Sequence, residues 1–386
     1  MNGPPRGPGA SPGALLALED GTLFPGEALG ALGTVTGEVC FNTSMTGYQE
    51  VLTDPSYHGQ IIALTAPHVG NTGVNGEDDQ ARRPWAAGLV VREASATYSS
   101  WRATSSLSVY LERHRVVAAT EINTRALTRH VRSRGALKGA LSSTVTDVSE
   151  LVDIARSSPS YGGRDLVAEV STPAPYVRAP VAGPAPARRV AALDFGIKAN
   201  MLDLLSRSGC EVTVLPASTP ASEILARGYD GVLLSNGPGD PAPLSGVIAT
   251  VSELIGRVPV FGICLGHQIL SLALGGTTYK LPFGHRGGNH PVRRAEDGRV
   301  EITCQNHGFA VTPGSLDKTG ARVTHVNLND QTIEGIALDG VCFSVQYHPE
   351  SGPGPRDARY LFERFTELMA RFQAVPAPLP EPSRSA

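Results

Sequence analysis

Apolar strand-like runs alternate with helical runs between residues 189 and 276, and this alternation constrains the possible fold more than any other feature of the chain. The strand-like runs are "RVAALDFG", "CEVTVLPA", "YDGVLLSNGPGD" and "VPVFGI", and each is followed by a run with helical spacing. Unbroken apolar strands that alternate with helices are typical of a parallel sheet covered on both faces. Four later runs, "VEITCQNHGFAV", "ARVTHVNL", "TIEGIAL" and "VCFSVQYHPE", lack intervening helices and predict an antiparallel extension or a return to the sheet. We therefore predict an α/β fold with a mostly parallel sheet and helices on both faces.

A Pro- and Ala-rich segment at residues 171–189 divides the chain, and we interpret it as a linker. Residues 190–373 then form the α/β domain. Residues 14–170 are richer in short strand signals and turns, which predicts a smaller α+β domain in front of it. The Pro-rich ends, residues 1–13 and 374–386, are predicted to be disordered.

The bulk composition excludes several classes of function. The net charge of −3 gives no electrostatic reason to expect nucleic acid or an anionic membrane as a partner, and no apolar window is long enough to span a bilayer. Five widely spaced cysteines without a CxxC pair indicate a reducing, cytosolic setting and neither disulfides nor a zinc ribbon.

His285 and His290, in "GHRGGNHP", have no cysteine or carboxylate at metal-ligand spacing nearby, so we expect a solvated loop there and no metal site.

Cys264 lies where the apolar run "VPVFGI" ends and a helical run begins, at the edge of a parallel sheet where ligands bind. The pattern "GICLG" is typical of a nucleophile elbow with cysteine in place of serine, because Gly262 and Gly266 allow the tight turn. A helix N-terminus favours an anionic sulfur and offers a free backbone N–H to an oxyanion. Gln268, one helical turn on, is predicted to touch the substrate. A packed, inert cysteine is the alternative interpretation until a base is found.

The segment "QYHPE" supplies a base and its orienting group. His348 and Glu350 are two residues apart at the end of an apolar run, so strand alternation would place both side chains on one side. Cys264, His348 and Glu350 are then predicted to form a nucleophile–base–carboxylate triad. His267 and His307 are rival bases, which rank lower because no carboxylate occupies a comparable position.

The glycine-rich run "SNGPGDP" follows another predicted strand and can aim backbone N–H groups into the same site. An ordinary tight turn is the alternative for this segment. The phosphate-binding patterns GxxxxGKS/T and GxGxxG after a strand are absent, as is the zinc motif HExxH, so the sequence does not support phosphate or dinucleotide binding.

The motifs "GICLGHQ", "SNGPGDP", "QNHGF" and "HPE", in this order, resemble the class I glutamine amidotransferase domain. The runs "LEDGTLFPGEALG", "GEVCFNTSMTGYQEVLTDPSYHGQI", "PHVGNTGVN" and "INTRALTRHVRSRG" resemble the amino-terminal domain of the small, glutaminase-subunit family of carbamoyl phosphate synthase. The resemblance spans nearly the whole chain outside its ends and linker.

The resemblance implies that Cys264 is the nucleophile, His348 its base and Glu350 the partner of that base. It implies that the backbone N–H groups of Gly237 and Leu265 hold the oxyanion. It also implies a glutamine pocket formed by Ser56, Gly237, Gly239, Leu265, Gln268, Asn306, Gly308 and Phe309.

The family further implies a partner, a large synthetase subunit, in a heterodimer or a higher oligomer. That subunit would bind ATP and Mg and receive ammonia through an internal tunnel, and the product would supply arginine and pyrimidine synthesis. No cofactor is expected in this chain. Two alternatives stay open: a free-standing γ-glutamyl or peptide cysteine hydrolase, which leaves the first domain unexplained, and an inactive scaffold subunit, against which the intact triad argues.

Overall fold

The computed structural model describes residues 12–181 and 188–373. The predicted disordered tail at 374–386 lies outside the described residues, as do residues 1–11. The predicted disorder is wrong for Gly13, which begins the first strand and pairs with Glu27.

The strands of the first half are β1 (Gly13–Leu18), β2 (Leu23–Gly30), β3 (Thr34–Asn42), β4 (Gln60–Leu64), β5 (His68–Val69), β6 (Gly88–Val90), β7 (Glu93–Ala94), β8 (Val117–Thr120) and β9 (Leu137–Ser142). Seven of them close into a barrel, in the order β1-β2-β8-β6-β4-β3-β9. Its helices are α1 (Tyr48–Thr53), α2 (Leu107–Arg113), α3 (Thr124–Arg134), α4 (Val148–Ser157) and α5 (Val167–Val170). Helices and strands are mixed here as predicted, but the sequence did not predict that the sheet closes.

The second half is built on one ten-stranded sheet, in the order β10-β12-β11-β13-β14-β19-β18-β17-β15-β16. The strands are β10 (Tyr176–Arg178), β11 (Arg188–Asp194), β12 (Cys210–Pro216), β13 (Gly231–Leu234), β14 (Val260–Ile263), β15 (Thr278–Arg294), β16 (Val300–Val311), β17 (Arg322–Asn327), β18 (Ile333–Leu338) and β19 (Cys342–Val345). Strands β12, β11, β13, β14 and β19 are mutually parallel, and β18, β17, β15 and β16 add the predicted antiparallel extension.

Helices cover both faces of this sheet, and each face has its own apolar core. The helices are α6 (Ala199–Arg207), α7 (Ala221–Ala226), α8 (Ser245–Leu254), α9 (Leu265–Ala273) and α10 (Tyr360–Arg371). One core takes side chains from α6 and α10, such as Leu205 and Phe365, and the other takes Ile224, Val251 and Ile269 from α7, α8 and α9. No described helix has the length and apolar character needed to cross a bilayer.

Two segments that the sequence assigned to loops are strands. Residues 176–178 of the predicted linker form β10, which pairs antiparallel with β12, and β11 begins at Arg188, inside the predicted linker; residues 182–187 lie outside the described residues. The expected solvated loop around His285 and His290 lies within β15, and the side chain of His285 is buried. The pairing of β15 with β16 shifts register twice, which explains why the segment shows no strand alternation.

The two halves contact each other at the carboxyl edge of the parallel strands. The Asn236 side chain donates a hydrogen bond of 2.9 Å to Ser56 Oγ, and Asn306 Nδ2 donates one of 2.9 Å to Asp54 Oδ2. Along β15, the Thr43 N–H bonds the Arg286 carbonyl. The first half therefore supplies one wall of any site at this edge.

Candidate active site

Cys264 joins β14 to α9 in a strained turn, as the predicted nucleophile elbow requires. Its backbone has φ 55° and ψ −104°, a conformation that side-chain-bearing residues adopt only where the surroundings enforce it. A Cβ at Gly262 would lie 2.6 Å from the Gly266 carbonyl oxygen, and one at Gly266 would lie 2.2 Å from the Leu234 oxygen. Both flanking positions therefore require glycine, because the strand and the helix approach too closely for any side chain.

The Cys264 thiol is buried among polar groups. Its Sγ lies 3.5 Å from the Asn306 carbonyl oxygen, to which it donates, and 3.7 Å from Gln346 Nε2, which donates to it. The Gln346 side chain is held in turn by Gln268, whose Nε2 donates to Gln346 Oε1 over 3.0 Å. Cys264 therefore combines polar contacts at its sulfur with a place in the apolar core cluster of the sheet.

His348 and Glu350 are oriented together beside the thiol. His348 Nδ1 bonds Glu350 Oε1 at 2.7 Å, and both side chains are buried. Both residues follow β19 in a turn, so the strand alternation that predicted their shared direction does not apply. His348 Nε2 makes no hydrogen bond to a described atom, although the imidazole and the Cys264 thiol are close enough to interact electrostatically.

A buried lysine completes this charged group. Lys198 Nζ lies 3.0 Å from Glu350 Oε1 and donates 2.7 Å to the Ser351 carbonyl, and Lys198 and Glu350 are only 2% and 0% exposed at their side chains. Burial alone would raise the pKa of Glu350, but Lys198 and His348 outweigh burial and lower it to about 2. Burial would lower the pKa of His348, but Glu350 and Cys264 outweigh burial and raise it well above its ordinary value. The neighbouring groups thus favour the protonated form of the His348 imidazole.

The two rival histidines have other partners. His267 Nδ1 bonds Ser344 Oγ at 2.8 Å, and burial lowers its pKa to about 3. His307 Nδ1 bonds the Phe309 carbonyl at 2.7 Å, and burial likewise lowers its pKa well below the ordinary value. Neither ring hydrogen-bonds a carboxylate within the described chain, whereas His348 bonds Glu350 and interacts electrostatically with the Cys264 thiol, so His348 is the best placed base.

Two unpaired backbone N–H groups, those of Leu265 and Gly237, indicate an oxyanion site. Leu265 is the first residue of α9, so its N–H has no intrahelical acceptor. Gly237 follows β13 in the predicted glycine-rich loop, and a Cβ there would lie 2.2 Å from the Phe195 carbonyl oxygen. Neither N–H donates to a backbone or side-chain acceptor in residues 12–181 or 188–373. Both residues line the same small pocket as Cys264.

The structure brings most of the predicted glutamine-binding residues into that pocket. Those lining it are Ser56, Gly237, Gly239, Leu265, Gln268, Asn306 and Gly308. Phe309 lies behind the pocket against Tyr161 and Leu166, and its carbonyl accepts 2.8 Å from Gln268 Nε2. The Tyr161 hydroxyl, from the first half, accepts 3.0 Å from the Gly239 N–H and so closes the pocket on one side.

Sequence reasoning missed several residues of the site. Lys198 and Gln346 contact the triad, and Gln60, Tyr161 and Arg286 line the pocket. Gln346 had a usable signal, since it is two residues from His348 in "QYHPE". The only sequence signal for Lys198 was its position after a predicted strand, at the edge of the sheet where ligands bind.

A strained cysteine at a strand–helix turn, a carboxylate-oriented histidine and two unpaired backbone N–H groups are the features expected of a cysteine-dependent acyl-transfer site. Consistent with this, residues 191–368 match the family described as "Glutamine amidotransferase class-I". Residues 16–141 match "Carbamoyl-phosphate synthase small chain, CPSase domain". The chain therefore belongs to the carbamoyl phosphate synthase small chain family.

Relatives of similar length carry the same family name. The chain is 54% identical over 371 residues to a "Carbamoyl phosphate synthase small chain" of Syntrophotalea carbinolica, covering 93% of this chain and 98% of that protein. It is 51% identical over 374 residues to one of a Synechococcus species, covering 94% and 95%. A solved glutamine amidotransferase of Thermotoga maritima, 20% identical, covers 48% of this chain and 85% of its own, with a TM-score of 0.36.

Proposed function

We propose that this chain hydrolyses glutamine with Cys264, His348 and Glu350 and delivers the ammonia to a large synthetase subunit. The observation that carries the proposal is the buried Glu350–His348 pair beside a cysteine held in an elbow turn. The large subunit would bind ATP and Mg, form a heterodimer or higher oligomer with this chain, and convert bicarbonate and ammonia into carbamoyl phosphate for arginine and pyrimidine synthesis. Family membership supports this division of labour, because this chain carries none of the phosphate-binding motifs.

The reaction begins with a thiolate–imidazolium pair of Cys264 and His348. The thiolate attacks the side-chain amide carbon of glutamine, and the oxyanion that forms accepts hydrogen bonds from the N–H groups of Gly237 and Leu265. His348 gives its proton to the leaving nitrogen, so ammonia departs and a γ-glutamyl thioester remains. Water then attacks the thioester, His348 takes its proton, and a second oxyanion collapses to glutamate and the thiolate. Glu350 and Lys198 keep the imidazole oriented throughout.

The glutamine pocket binds the rest of the substrate. We propose that Ser56, Gly239, Gln268, Asn306, Gly308 and Phe309 hold the amino and carboxylate groups of glutamine. Ser56 comes from the first half and is tied to Asn236 of the second half by a 2.9 Å hydrogen bond. Substrate binding would therefore depend on how the two halves are held together.

Reconstitution with the large subunit of the same organism tests the proposal. The complex is expected to form carbamoyl phosphate from either glutamine or ammonium, whereas the large subunit alone should use only ammonium. The measurement is carbamoyl phosphate produced per active complex with each nitrogen source. A chain that forms no complex and hydrolyses γ-glutamyl peptides by itself would instead indicate a free-standing hydrolase. A complex that uses only ammonium would indicate a scaffold subunit.

Gly237→Ala tests the oxyanion site. The added methyl group would lie 2.2 Å from the Phe195 carbonyl oxygen, so the loop must shift and carry the Gly237 N–H away from its position. We expect kcat for glutamine hydrolysis to fall about 100- to 1,000-fold, the usual loss for one oxyanion donor. Gly246→Ala in α8 is the matched control, because nothing lies within 4 Å of a Cβ there. An unchanged kcat in a folded Gly237→Ala protein would remove this residue from the mechanism.

A further inference from the structure

A second cluster of ionisable side chains adjoins the proposed glutamine pocket, which His307 helps to line, and takes no part in the proposed reaction. His285 of β15, His307 of β16 and Glu334 of β18 each offer a ligand atom, and these atoms lie within 4.8 Å of one another. All three side chains are buried. The sequence predicted no metal site at His285 because no carboxylate is near it in the chain; the antiparallel part of the sheet supplies one from a distant strand.

Both imidazoles are oriented by an outer partner and leave one nitrogen free. His285 Nε2 bonds the Asp330 carboxylate at 2.7 Å, and His307 Nδ1 donates to the Phe309 carbonyl at 2.7 Å. The other nitrogens, His285 Nδ1 and His307 Nε2, are buried and have no hydrogen-bond partner in the described chain. Histidines that bind metals characteristically hold their outer nitrogen on a carboxylate or a backbone carbonyl in this way.

The Glu334 carboxylate is fully buried and firmly placed. Asn327 Nδ2 donates 2.9 Å to its Oε1, and Gln305 Nε2 donates 2.9 Å to its Oε2. Thr332 Oγ1 also donates to Oε1, over 3.5 Å. All three donors are neutral, and the only cationic group within 4 Å in the described residues is the His285 ring. A buried carboxylate needs a positive charge nearby, from an imidazolium or from a metal ion.

One distance is close to the separation of two ligands of a single metal ion. His285 Nδ1 lies 3.7 Å from Glu334 Oε1, which is too long for a hydrogen bond. Two ligands of one tetrahedral zinc ion, at bond lengths of about 2.0–2.1 Å, are roughly 3.3 Å apart. A small inward movement would therefore bring these atoms to ligand spacing.

We propose that His285 Nδ1, His307 Nε2 and Glu334 Oε1 bind a divalent transition-metal ion of the zinc type, with water as the fourth ligand. Two imidazoles and one carboxylate suit zinc better than calcium or magnesium, which take mainly oxygen ligands. The ion would tie β15, β16 and β18 together behind Asn306 and Gly308. The Arg286 guanidinium repels positive charge at His307, so we expect moderate affinity rather than the very tight binding of a structural zinc site.

Cobalt titration of the full-length chain tests the proposal. After chelator treatment, a single Co²⁺ ion per chain is expected to give the visible absorption of tetrahedral coordination, and Zn²⁺ should displace it. Glu334→Gln and His285→Gln should each weaken binding about 100-fold or more, because each removes a ligand. His68→Gln is the matched control, since His68 is an exposed histidine paired with a glutamate on the surface and should bind like the wild type.

The wild-type protein alone can overturn the proposal, so a poorly folded variant does not obscure the result. If no tetrahedral spectrum appears below about 100 μM Co²⁺, the cluster is an ion pair of His285 with Asp330 and Glu334. Binding that survives in both ligand variants would place the ion elsewhere and also contradict the proposal. The readout is metal binding without glutamine, so it is independent of whether the chain acts as a glutaminase.

Discussion

Cys264→Ala is expected to lower glutamine-dependent carbamoyl phosphate synthesis by the reconstituted complex at least about 10,000-fold. Synthesis from ammonium should remain, because free ammonia bypasses the thiol chemistry. The physical reason is that no other described group at the elbow can form the thioester: Asn306 and Gln346, the residues that hydrogen-bond the thiol, present a carbonyl oxygen and an amide nitrogen to it. Product formation with each nitrogen source, measured on one preparation, checks the prediction.

Cys210→Ala is the matched control for Cys264→Ala. Cys210 is buried in the same apolar core cluster as Cys264, but it does not line the pocket. Its replacement should lower stability modestly and leave the glutamine-to-ammonium activity ratio unchanged. If the Cys264 variant turned over glutamine at a rate comparable to wild type, the proposed mechanism would be wrong at its first step.

Lys198→Met is expected to have the second-largest effect, on stability and activity together. It leaves the Glu350 carboxylate buried without the cation that lies 3.0 Å from it. Breaking a buried ion pair in this way typically costs about 3–5 kcal/mol of unfolding free energy. Since Glu350 orients His348, we also expect glutamine turnover to fall about 100-fold. Urea unfolding and kcat measure the two effects, with Lys318→Met, an exposed lysine, as the control.

The double variant Lys198→Met/Glu350→Gln separates the two effects. Removing both charges should restore much of the lost stability, because the His348 ring, which loses the carboxylate that raises its pKa, can then stay neutral and no buried charge is left unpaired. Activity should stay low because the imidazole has lost its carboxylate. A double variant as unstable as the sum of the two single variants would show that the charges do not act as a pair.

The same ion pair predicts a dependence of stability on pH. The pKa of Glu350 is about 2 in the folded chain, below its ordinary value of 4.5, so the folded state releases this proton more readily than the unfolded state. Its contribution to stability is therefore present above pH 4.5 and is lost as pH falls toward 2. Lys198→Met removes a cause of the lowered pKa, so the part of the stability that Glu350 loses between pH 4.5 and 2 should be smaller in the variant, as urea unfolding at several pH values would measure.

Prediction from sequence succeeded where a local pattern carries the information. The helices and strands from Arg189 to Ala273 follow the predicted alternation. The apolar runs of strands buried on two faces, and the glycines that end helices, can be recognised within short windows of sequence. The elbow at Cys264 was predictable for the same reason, since Gly262 and Gly266 lie within two residues of it.

Prediction failed where pairing with a distant segment decided the structure. The short run Tyr176–Arg178 is a strand only because it pairs with β12. Segment β15 is a strand although its glycines and histidines show no alternation of apolar and polar residues. Closure of the first sheet into a barrel depends on pairing between β1 and β9, which no local window contains.

The sequence by itself determined the class of fold, the strand–helix turn at Cys264 and the pair His348–Glu350, because each depends on residues that are neighbours in the chain. The tertiary structure alone decided which groups surround them: Lys198 against Glu350, Tyr161 over the pocket, and Glu334 beside two histidines. These contacts join residues that are far apart in sequence. Their energies arise from burial and charge in the folded interior, where desolvation makes each buried charge depend on the partners that the fold brings to it.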